Sequence, residues 1–520
     1  MAEKSVRPIL TYADEVHKAG AESYQKIMRY FRPRFWLGMT ATPERTDGKD
    51  IYALFDHNIA YEIRLQQALE DNLLCPFHYF GITDLEVEGQ TSDDAQLGTK
   101  ALDLRQFNFL ISDDRVRYIL DKAAYYGHCG RRVKGLMFVS RREIGEELSH
   151  KFNEHGLKTV FLSGDVSQKE REEAIEGLTT DDPNAEKLDY ILTVDIFNEG
   201  VDIPEVNQVI LLRPTKSPII YIQQLGRGLR KSEDKEFVVV LDFIGNYSNN
   251  YMIPIALSGD RTYNKDNMRR YVSNGARVIP GSSTIHFDEI SRKRIYASID
   301  RANVDDTKLI RENYENLKAK LGRIPALEDF DSYGEMDVLH IFRKFGSYYA
   351  FLKKYDKKDY TVEISNHEAH ILEFVSCKFA DGKRAQELLL KAALQLTQNR
   401  EHSTTEPLCQ DLFTAYHDLE TEYHLALSEA ADRSVISLLT NEFPAGSGKK
   451  TYSDCVLIRQ QEDGSYTLSD AFRQVLTNGE FRTLLSEVVD FGLSRYRRDY
   501  SSPYSDTLIV KVVVSMFLPH

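Results

Sequence analysis

Two arginines near the middle of the chain have the residue type and the spacing that phosphate chemistry needs. Arg227 and Arg230 lie three residues apart in the segment 223–230, QQLGRGLR. Three residues are close to one helical turn, so both guanidinium groups can point in the same direction. A guanidinium is planar and never loses its charge, which suits it to a phosphoryl group in transfer. The segment is therefore a candidate phosphate site; a surface basic patch followed by a helix is the alternative.

Apolar runs on both sides of these arginines predict the elements that position them. Three short apolar stretches are bounded by turn residues, namely 190–194, 208–212 and 237–241. This pattern is typical of buried parallel strands, and the alternation of strands with helical stretches up to residue 244 predicts an α/β fold. Open sheets of this kind bind ligands beyond the carboxyl ends of their strands. Thr193, Gly200 and Asp202 follow the first of these strands and therefore join the candidate site.

A second group of polar residues lies near the start of the chain. The apolar run 9–13 precedes Asp14 and Glu15, so a strand would deliver two carboxylates to its end. Carboxylate oxygens bind Mg²⁺, usually together with water, and a second carboxylate can orient a hydrolytic water. A lone Asp–Glu pair is a weak signal, because most such pairs are simply solvated. A second strand-like run that begins at Trp36 leads to Thr40 at a sensible distance.

Taken in order, these segments resemble the motifs of superfamily 2 helicases of the DEAD/DEAH-box type. Residues 14–17 (DEVH) are similar to motif II, 36–45 to motif III, 193–204 to motif V and 223–230 to motif VI. Arg141, which follows a predicted strand, resembles motif IV. The resemblance covers residues 9 to 250. It implies a second RecA-like domain with a parallel sheet, preceded by a remnant of the first RecA-like domain.

The resemblance also implies ATP and Mg²⁺ as cofactors, with the nucleotide between two RecA-like domains. Asp14 and Glu15 would bind Mg²⁺ and, with Arg227 and Arg230, would form the catalytic group. The implied contacts to the nucleotide are His17, Gly200, Asp202 and Gln223. The implied contacts to nucleic acid are Thr40, Arg141 and Thr193.

One motif of this family is missing from the sequence. A P-loop needs GxxxxGK[ST], whose backbone N–H groups, lysine and hydroxyl hold the phosphates and Mg²⁺. Only 13 residues precede Asp14, and the nearest imitation, at 443–451, lacks the first glycine and has Lys450 in place of the hydroxyl. We therefore expect that the chain begins inside the first RecA-like domain. An upstream segment or a partner chain would then supply the P-loop.

The leading hypothesis is an ATP-dependent helicase or translocase that acts on nucleic acid, and more specifically on single-stranded or duplex DNA. The alternative is a catalytically silent DNA-binding or scaffolding fragment. A helicase-like subunit of a restriction or defence system, completed by a partner, would carry the same motifs.

Charge limits where nucleic acid could bind. The net charge is −14, so the surface as a whole does not attract nucleic acid. The stretch 317–358 is an exception, with nine basic and six acidic residues. Its phrases LGRIPALEDF and FGSYYAFL resemble small helical repeats of homing endonucleases and helicases, which implies DNA binding through residues such as Arg323 and Lys344. A packed three-helix module whose lysines only solvate it is the alternative.

The same patterns divide the chain into five predicted parts. They are a first-domain remnant at 1–60, the second RecA-like domain at 61–246, an irregular connector at 247–301, a small helical module at 302–360 and a mainly helical domain at 361–520. The last part resembles the uncharacterised region behind bacterial helicases of this type. The five cysteines are far apart, and no terminal apolar run is long enough to span a bilayer. We therefore expect a cytoplasmic protein with no membrane partner.

Overall fold

A computed structural model of the chain describes most of residues 21–379 and a C-terminal helix. The described ranges are 10–13, 16, 19, 21–31, 33–40, 51–86, 91–93, 104–194, 203–215, 217–274, 282–333, 336–379 and 477–501, with short stretches between 390 and 474. The chain forms two compact units. The sheet unit comprises Glu62–Asn303, and the helical unit comprises Met1–Tyr61 together with Val304–His520.

The N-terminal part of the helical unit holds two short parallel strands. They are β1 (Leu10–Ala13) and β2 (Phe35–Gly38), and helix α1 (Glu22–Tyr30) lies between them in the chain. Ala13 pairs with Gly38, so the segments that follow the two strands leave the same edge. A short 3₁₀ helix occupies Tyr52–Phe55.

Seven parallel strands form the sheet of the sheet unit. They are β3 (Phe77–Thr83), β4 (Gly135–Val139), β5 (Thr159–Leu162), β6 (Tyr190–Thr193), β7 (Gln208–Leu212), β8 (Val238–Ile244) and β9 (Thr284–Phe287). Their order across the sheet is β5-β6-β4-β7-β8-β3-β9. Every residue of β4, β7 and β8 is buried, as expected for central strands that are covered on both faces. The predicted RecA-like α/β fold is therefore confirmed.

Nine described helices accompany these strands. They are α2 (Leu65–Glu70), α3 (Leu104–Leu110), α4 (Asp113–Tyr126), α5 (Arg142–Glu154), α6 (Gln168–Thr179), α7 (Pro218–Gly226), α8 (Met252–Ser258), α9 (Lys265–Asn274) and α10 (Glu289–Arg301). Serine hydroxyls start three of them: Ser112 caps α4, Ser167 caps α6 and Ser217 caps α7. Each accepts a hydrogen bond from a backbone N–H of the first helical turn, which has no partner within the helix.

The segment 247–301 differs from its prediction as an irregular connector. It contains α8, α9, β9 and α10, and β9 extends the sheet by pairing with β3. Ile285 and Phe287 are buried while His286 between them is exposed, so β9 follows the alternation of an edge strand. Gly81 of β3 permits this approach, because a Cβ there would lie 2.4 Å from the Phe287 ring. The Asn-, Ser- and Gly-rich composition concealed a strand of only four residues.

The C-terminal part of the helical unit is mainly α-helical, as predicted. Its described helices are α11 (Thr307–Leu321), α12 (Leu327–Tyr333), α13 (Leu339–Phe345), α14 (Tyr348–Tyr355), α15 (Asn366–Phe379) and α16 (Gly479–Ser501). Two small antiparallel pairs are also present, β10 (Phe443–Pro444) with β11 (Thr451–Tyr452) and β12 (Ile458–Gln460) with β13 (Tyr466–Leu468). One apolar core joins all six helices. Within the described ranges, no helix has both the length and the apolar character needed to cross a bilayer.

Candidate functional site

The candidate site lies at the carboxyl edge of the sheet, where three neighbouring strands end. In the register of the sheet, Phe138 of β4 lies beside Thr193 of β6 and Leu211 of β7. Arg141 comes two residues after β4, and Arg213 directly follows β7. Parallel strands thus bring Arg141, Thr193 and Arg213 to one edge, which is where open α/β sheets bind their ligands.

Arg213 is a residue of this edge that the predicted set did not include. Its side chain is buried, and its Nη1 donates to the Val194 carbonyl at 3.0 Å. Its Nε and Nη2 donate to the side-chain oxygen of Gln224, at 3.1 and 2.6 Å, in the amide orientation that satisfies both groups. Arg213 therefore connects the segment after β6 to α7. The signal in the sequence was an arginine placed directly after the apolar run 208–212.

The two predicted phosphate arginines lie in a tight turn at the end of α7, which we call the arginine turn (residues 227–230). Arg227 is the C-cap of α7, and both Arg227 and Arg230 are half-buried. Gly228 lets the turn lie against the sheet, because a Cβ there would come within 2.9 Å of Val238 and 3.0 Å of Val209. Both contacts are closer than side chains normally pack. A glycine between the arginines is thus required by packing.

Lys235 stabilises the arginine turn by hydrogen bonds to its backbone. Its side chain is only 8% exposed, and its Nζ donates to the carbonyls of Val206 and Gly228 at 3.0 Å each, and also to that of Pro204. Burial lowers the pKa of Lys235 to about 8. These bonds connect Pro204, at the end of predicted motif V, and Val206, just beyond it, to motif VI.

A buried carboxylate holds α7 itself in place. Oδ2 of Asp242, in β8, accepts the hydroxyl of Tyr79 at 2.7 Å and that of Tyr221 at 3.0 Å. Burial raises the pKa of Asp242 to about 6, and the two hydroxyl donors oppose that rise. Tyr221 lies on α7 two residues before Gln223, which is half-buried. The bond therefore fixes the rotation of α7 and the direction in which Gln223 leaves it.

The two predicted nucleic-acid residues of this edge differ in exposure. Arg141 is half-buried at the N-cap of α5, whereas Thr193 is 0% exposed. The hydroxyl of Thr193 has no hydrogen-bond partner among the residues that the structure describes. A side chain buried to this degree does not reach nucleic acid directly. In this structure Thr193 is a buried residue at the carboxyl end of β6.

Five predicted site residues lie outside the described residues: Asp14, Glu15, His17, Gly200 and Asp202. Thr40 is described and lies two residues after β2, partly buried. The Met39 N–H donates to the Ala13 carbonyl, and the Val16 N–H donates to the Met39 carbonyl, both at 2.9 Å. The backbone after β1 is therefore held to the backbone that leads to Thr40. Nowhere in the described part of the chain do three or more metal-ligating side chains cluster.

Local carboxylates pair with Lys318 and Arg323, two of the nine basic residues of the stretch 317–358 in the helical unit. Arg323 makes a bidentate ion pair with Asp329, at 2.6 and 3.0 Å, and Lys318 bonds both oxygens of Asp356 at 2.8 Å. Lys344 is exposed. Of the two residues predicted to bind DNA here, Lys344 is therefore the more accessible, while Arg323 also serves the local fold.

Three stretches of the chain match known protein families. Residues 116–232 match the helicase conserved C-terminal domain, residues 5–45 match the Type III restriction enzyme res subunit, and residues 310–498 match a domain of unknown function, DUF8090. The first match includes every predicted position from Arg141 to Arg230. The third includes most of the described helices of the helical unit.

Individual proteins show the same likeness over part of their length. The chain is 27% identical to the "Putative ATP-dependent helicase IRC3" of Saccharomyces cerevisiae, over 45% of this chain and 34% of that protein. It is 27% identical to the UvrABC system protein B of Campylobacter hominis, over 37% of this chain and 28% of that protein. The solved structure of the ATP-dependent Type ISP restriction-modification enzyme LlaBIII bound to DNA is 14% identical, with a TM-score of 0.36, over 84% of this chain and 31% of that one.

The chain thus spans about a third of the length of these relatives. The family matches coincide with the parallel sheet and with the motif segments at its carboxyl edge. Over residues 5–45 and 116–232 the chain is therefore similar to superfamily 2 helicases, and it carries a further C-terminal region at 310–498.

Proposed function

We propose that the chain is part of an ATP-dependent helicase or translocase that acts on DNA. The observation that carries the proposal is the support of the arginine turn. Asp242 fixes α7 through Tyr221, Arg213 fixes it through Gln224, and Lys235 holds the turn itself. Charged donors on a support of this kind stabilise phosphoryl charge well, because they need no reorganisation when the charge develops.

The donor set of the sheet unit suits one side of a nucleotide site. Arg227 and Arg230 would neutralise phosphate oxygens, and Gln223 would bind the nucleotide beside them. ATP, when bound, supplies the free energy of its hydrolysis for movement on DNA. The remaining residues come from the family resemblance. Asp14 and Glu15 would hold Mg²⁺, and His17, Gly200 and Asp202 would line the nucleotide.

Nucleic acid would then contact both units. Arg141 and Thr40 follow strands at motif positions, so they are the proposed contacts of the RecA-like parts. Lys344, together with Arg323, is the proposed contact of the helical unit. Contacts to phosphate weaken as salt rises, because binding releases the counterions of the DNA.

A second candidate function follows from the missing P-loop sequence. Without GxxxxGK[ST], this chain would bind DNA without hydrolysing ATP until a preceding segment or a partner chain completes the site. The match of residues 5–45 to a restriction enzyme subunit favours a restriction or defence system as one such setting.

The test is ATP hydrolysis by the purified 520-residue chain, with and without single-stranded and duplex DNA. If the chain forms a complete nucleotide site by itself, DNA should stimulate turnover, and Arg230→Ala should then reduce that turnover by roughly 10³-fold or more, as for arginine fingers. Arg292→Ala is the matched control, because Arg292 is an exposed arginine of α10 in the same unit.

The outcomes separate the candidates. Turnover that Arg230→Ala leaves unchanged would contradict the role of the arginine turn. Absence of turnover with salt-sensitive DNA binding retained would support the second candidate, a DNA-binding part completed by another segment. Loss of both activities would contradict both candidates.

A further inference from the structure

The helical unit contains a cavity of about 240 Å³ that lies among α12, α14, α15 and α16. A cavity of about 150 Å³ is enough to bind a benzene ring, so this one has room for a ring with polar substituents. Its apolar walls come from Leu327, Leu352, Leu372, Leu484 and Val488. The cavity lies in the region that matches the domain of unknown function, and the helicase motifs do not use it.

Two polar side chains of the cavity wall are buried and make no hydrogen bond to any residue that the structure describes. Tyr360 is 8% exposed and Ser376 is 1% exposed. Among the described residues, neither hydroxyl has a hydrogen-bond partner. Folded proteins rarely leave buried polar atoms in this state. Two such atoms in one cavity indicate a ligand that supplies the missing partners.

A carboxylate is the third polar group of the wall. Oε1 of Glu487 accepts the Leu327 N–H at 2.9 Å, and no basic side chain in the described ranges pairs with Glu487. Burial raises the pKa of Glu487, the Leu327 bond opposes the rise, and the nearby charges of Asp329 and Glu328 add to it. A carboxylate has acceptor capacity only. The fitting ligand therefore presents N–H donors to Glu487.

Three tyrosines complete the wall with aromatic surface. They are Tyr348, Tyr349 and Tyr360. The rings of Tyr349 and Tyr360 pack edge to face with centroids 6.0 Å apart. Tyrosine rings provide stacking surfaces for bases that have left their own stack.

We infer that this cavity binds a nucleobase that carries an exocyclic amino group. The amino N–H groups would donate to Glu487, and the hydroxyls of Tyr360 and Ser376 would bond the ring nitrogens or carbonyl. Carboxylates recognise the amino group of cytosine in the same way. The preference for a nucleobase over other aminated rings rests on the proposed function. The base can belong to a free nucleoside or to a single strand, since the recognised chemistry is the same.

The test uses 2-aminopurine, an aminated base whose fluorescence falls when it stacks on a ring. One arm titrates the full chain into 2-aminopurine deoxyriboside, and the other into a single-stranded oligonucleotide with one such base. We expect saturable quenching in at least one arm, and the arm identifies the source of the base. Deoxycytidine should compete at least 10-fold better than thymidine, which has no exocyclic amino group. Neither arm needs ATP, so a failure here is distinct from a failure of the hydrolysis test.

Variants assign the binding to the cavity. Glu487→Gln keeps an acceptor for the Leu327 N–H, and we expect it to weaken binding by at least 10-fold. Glu480→Gln should change nothing, because Glu480 is exposed on the same helix. Tyr360→Phe and Ser376→Ala should each weaken binding several-fold. Absence of quenching in both arms, equal competition by thymidine, or unchanged binding by Glu487→Gln would each overturn the inference.

Discussion

Two buried carboxylates of the sheet unit, Asp84 and Asp242, differ from the cavity of the helical unit in how many of their hydrogen bonds are made. In the sheet unit, Asp242 accepts two tyrosine hydroxyls, and Asp84 forms a bidentate pair with Arg115. In the cavity, the hydroxyls of Tyr360 and Ser376 have no partner among the described residues. A polar group whose bonds are all made within the protein holds elements in place. Buried polar groups with unmade bonds that line one cavity indicate a place where a ligand fits.

The largest change in the free energy of unfolding should come from breaking the buried ion pair of Asp84 and Arg115. Nε and Nη2 of Arg115 donate to the two carboxylate oxygens at 3.0 and 2.9 Å, and both side chains are almost fully buried. We expect Arg115→Met to lower the free energy of unfolding of the sheet unit by about 3 to 5 kcal/mol, because Asp84 stays buried without its partner. Urea denaturation measures this change.

A surface arginine provides the control for this variant. Arg142 pairs with Glu146 and Asp165 and is 54% exposed. Exposed ion pairs contribute about 0 to 1 kcal/mol, so Arg142→Met should stay within that range. Equal losses in the two variants would contradict the view that the buried pair supports the sheet unit.

The next largest expected effect is the dependence of protein stability on pH through Asp242. Its pKa is raised from 3.8 to about 6 in the folded protein, so its contribution to stability is fully present below pH 4 and is lost as pH rises through 6. A shift of this size corresponds to roughly 3 kcal/mol. Asp242→Asn does not titrate, and it keeps an oxygen that can accept the two tyrosine hydroxyls. We therefore expect the variant to gain about that much stability over the natural protein between pH 4 and pH 7.

An exposed carboxylate, whose contribution to stability changes with pH in the opposite direction, serves as the control. The pKa of Asp113 is lowered by its hydrogen bond to Lys151, so its contribution to stability is present at neutral pH and is lost as pH falls. Asp113→Asn should accordingly lose stability relative to the natural protein as pH rises. The unfolding free energy of each protein is measured from pH 4 to pH 7. A difference between Asp242→Asn and the natural protein that stays constant over this range would show that Asp242 is not held at a raised pKa.

The sheet unit could be predicted from sequence because its signals are local. Runs such as 237–241 are apolar over their whole length, and the arginine turn has its residues within four positions. Its support could not be predicted in the same way. Tyr79 and Asp242 are 163 residues apart in sequence, and Lys235 reaches three carbonyls on two other segments. Such contacts depend on strand order, which periodicity does not determine.

The cavity of the helical unit gave no sequence signal at all. Its polar residues stand at Tyr360, Ser376 and Glu487, on two helices and the segment between α14 and α15. Each is an ordinary residue in its own segment, and the sequence predicted only that 361–520 is mainly helical. The strand β9 was missed for a related reason, because its role is visible only beside β3.

The smallest expected change in unfolding free energy gives the most direct comparison, because the same substitution of tyrosine by phenylalanine can be made in both units. Tyr221→Phe removes a donor from the buried carboxylate of Asp242 and should cost about 1.5 to 3 kcal/mol of unfolding free energy. Tyr360→Phe removes a hydroxyl that has no partner among the described residues, so it should leave stability unchanged or raise it by up to about 1 kcal/mol. Urea denaturation of the two variants without added nucleoside measures both values. A loss above about 1 kcal/mol for Tyr360→Phe would mean that the hydroxyl already has a partner in solution, and the cavity would then resemble the hydrogen-bonded surroundings of Asp242.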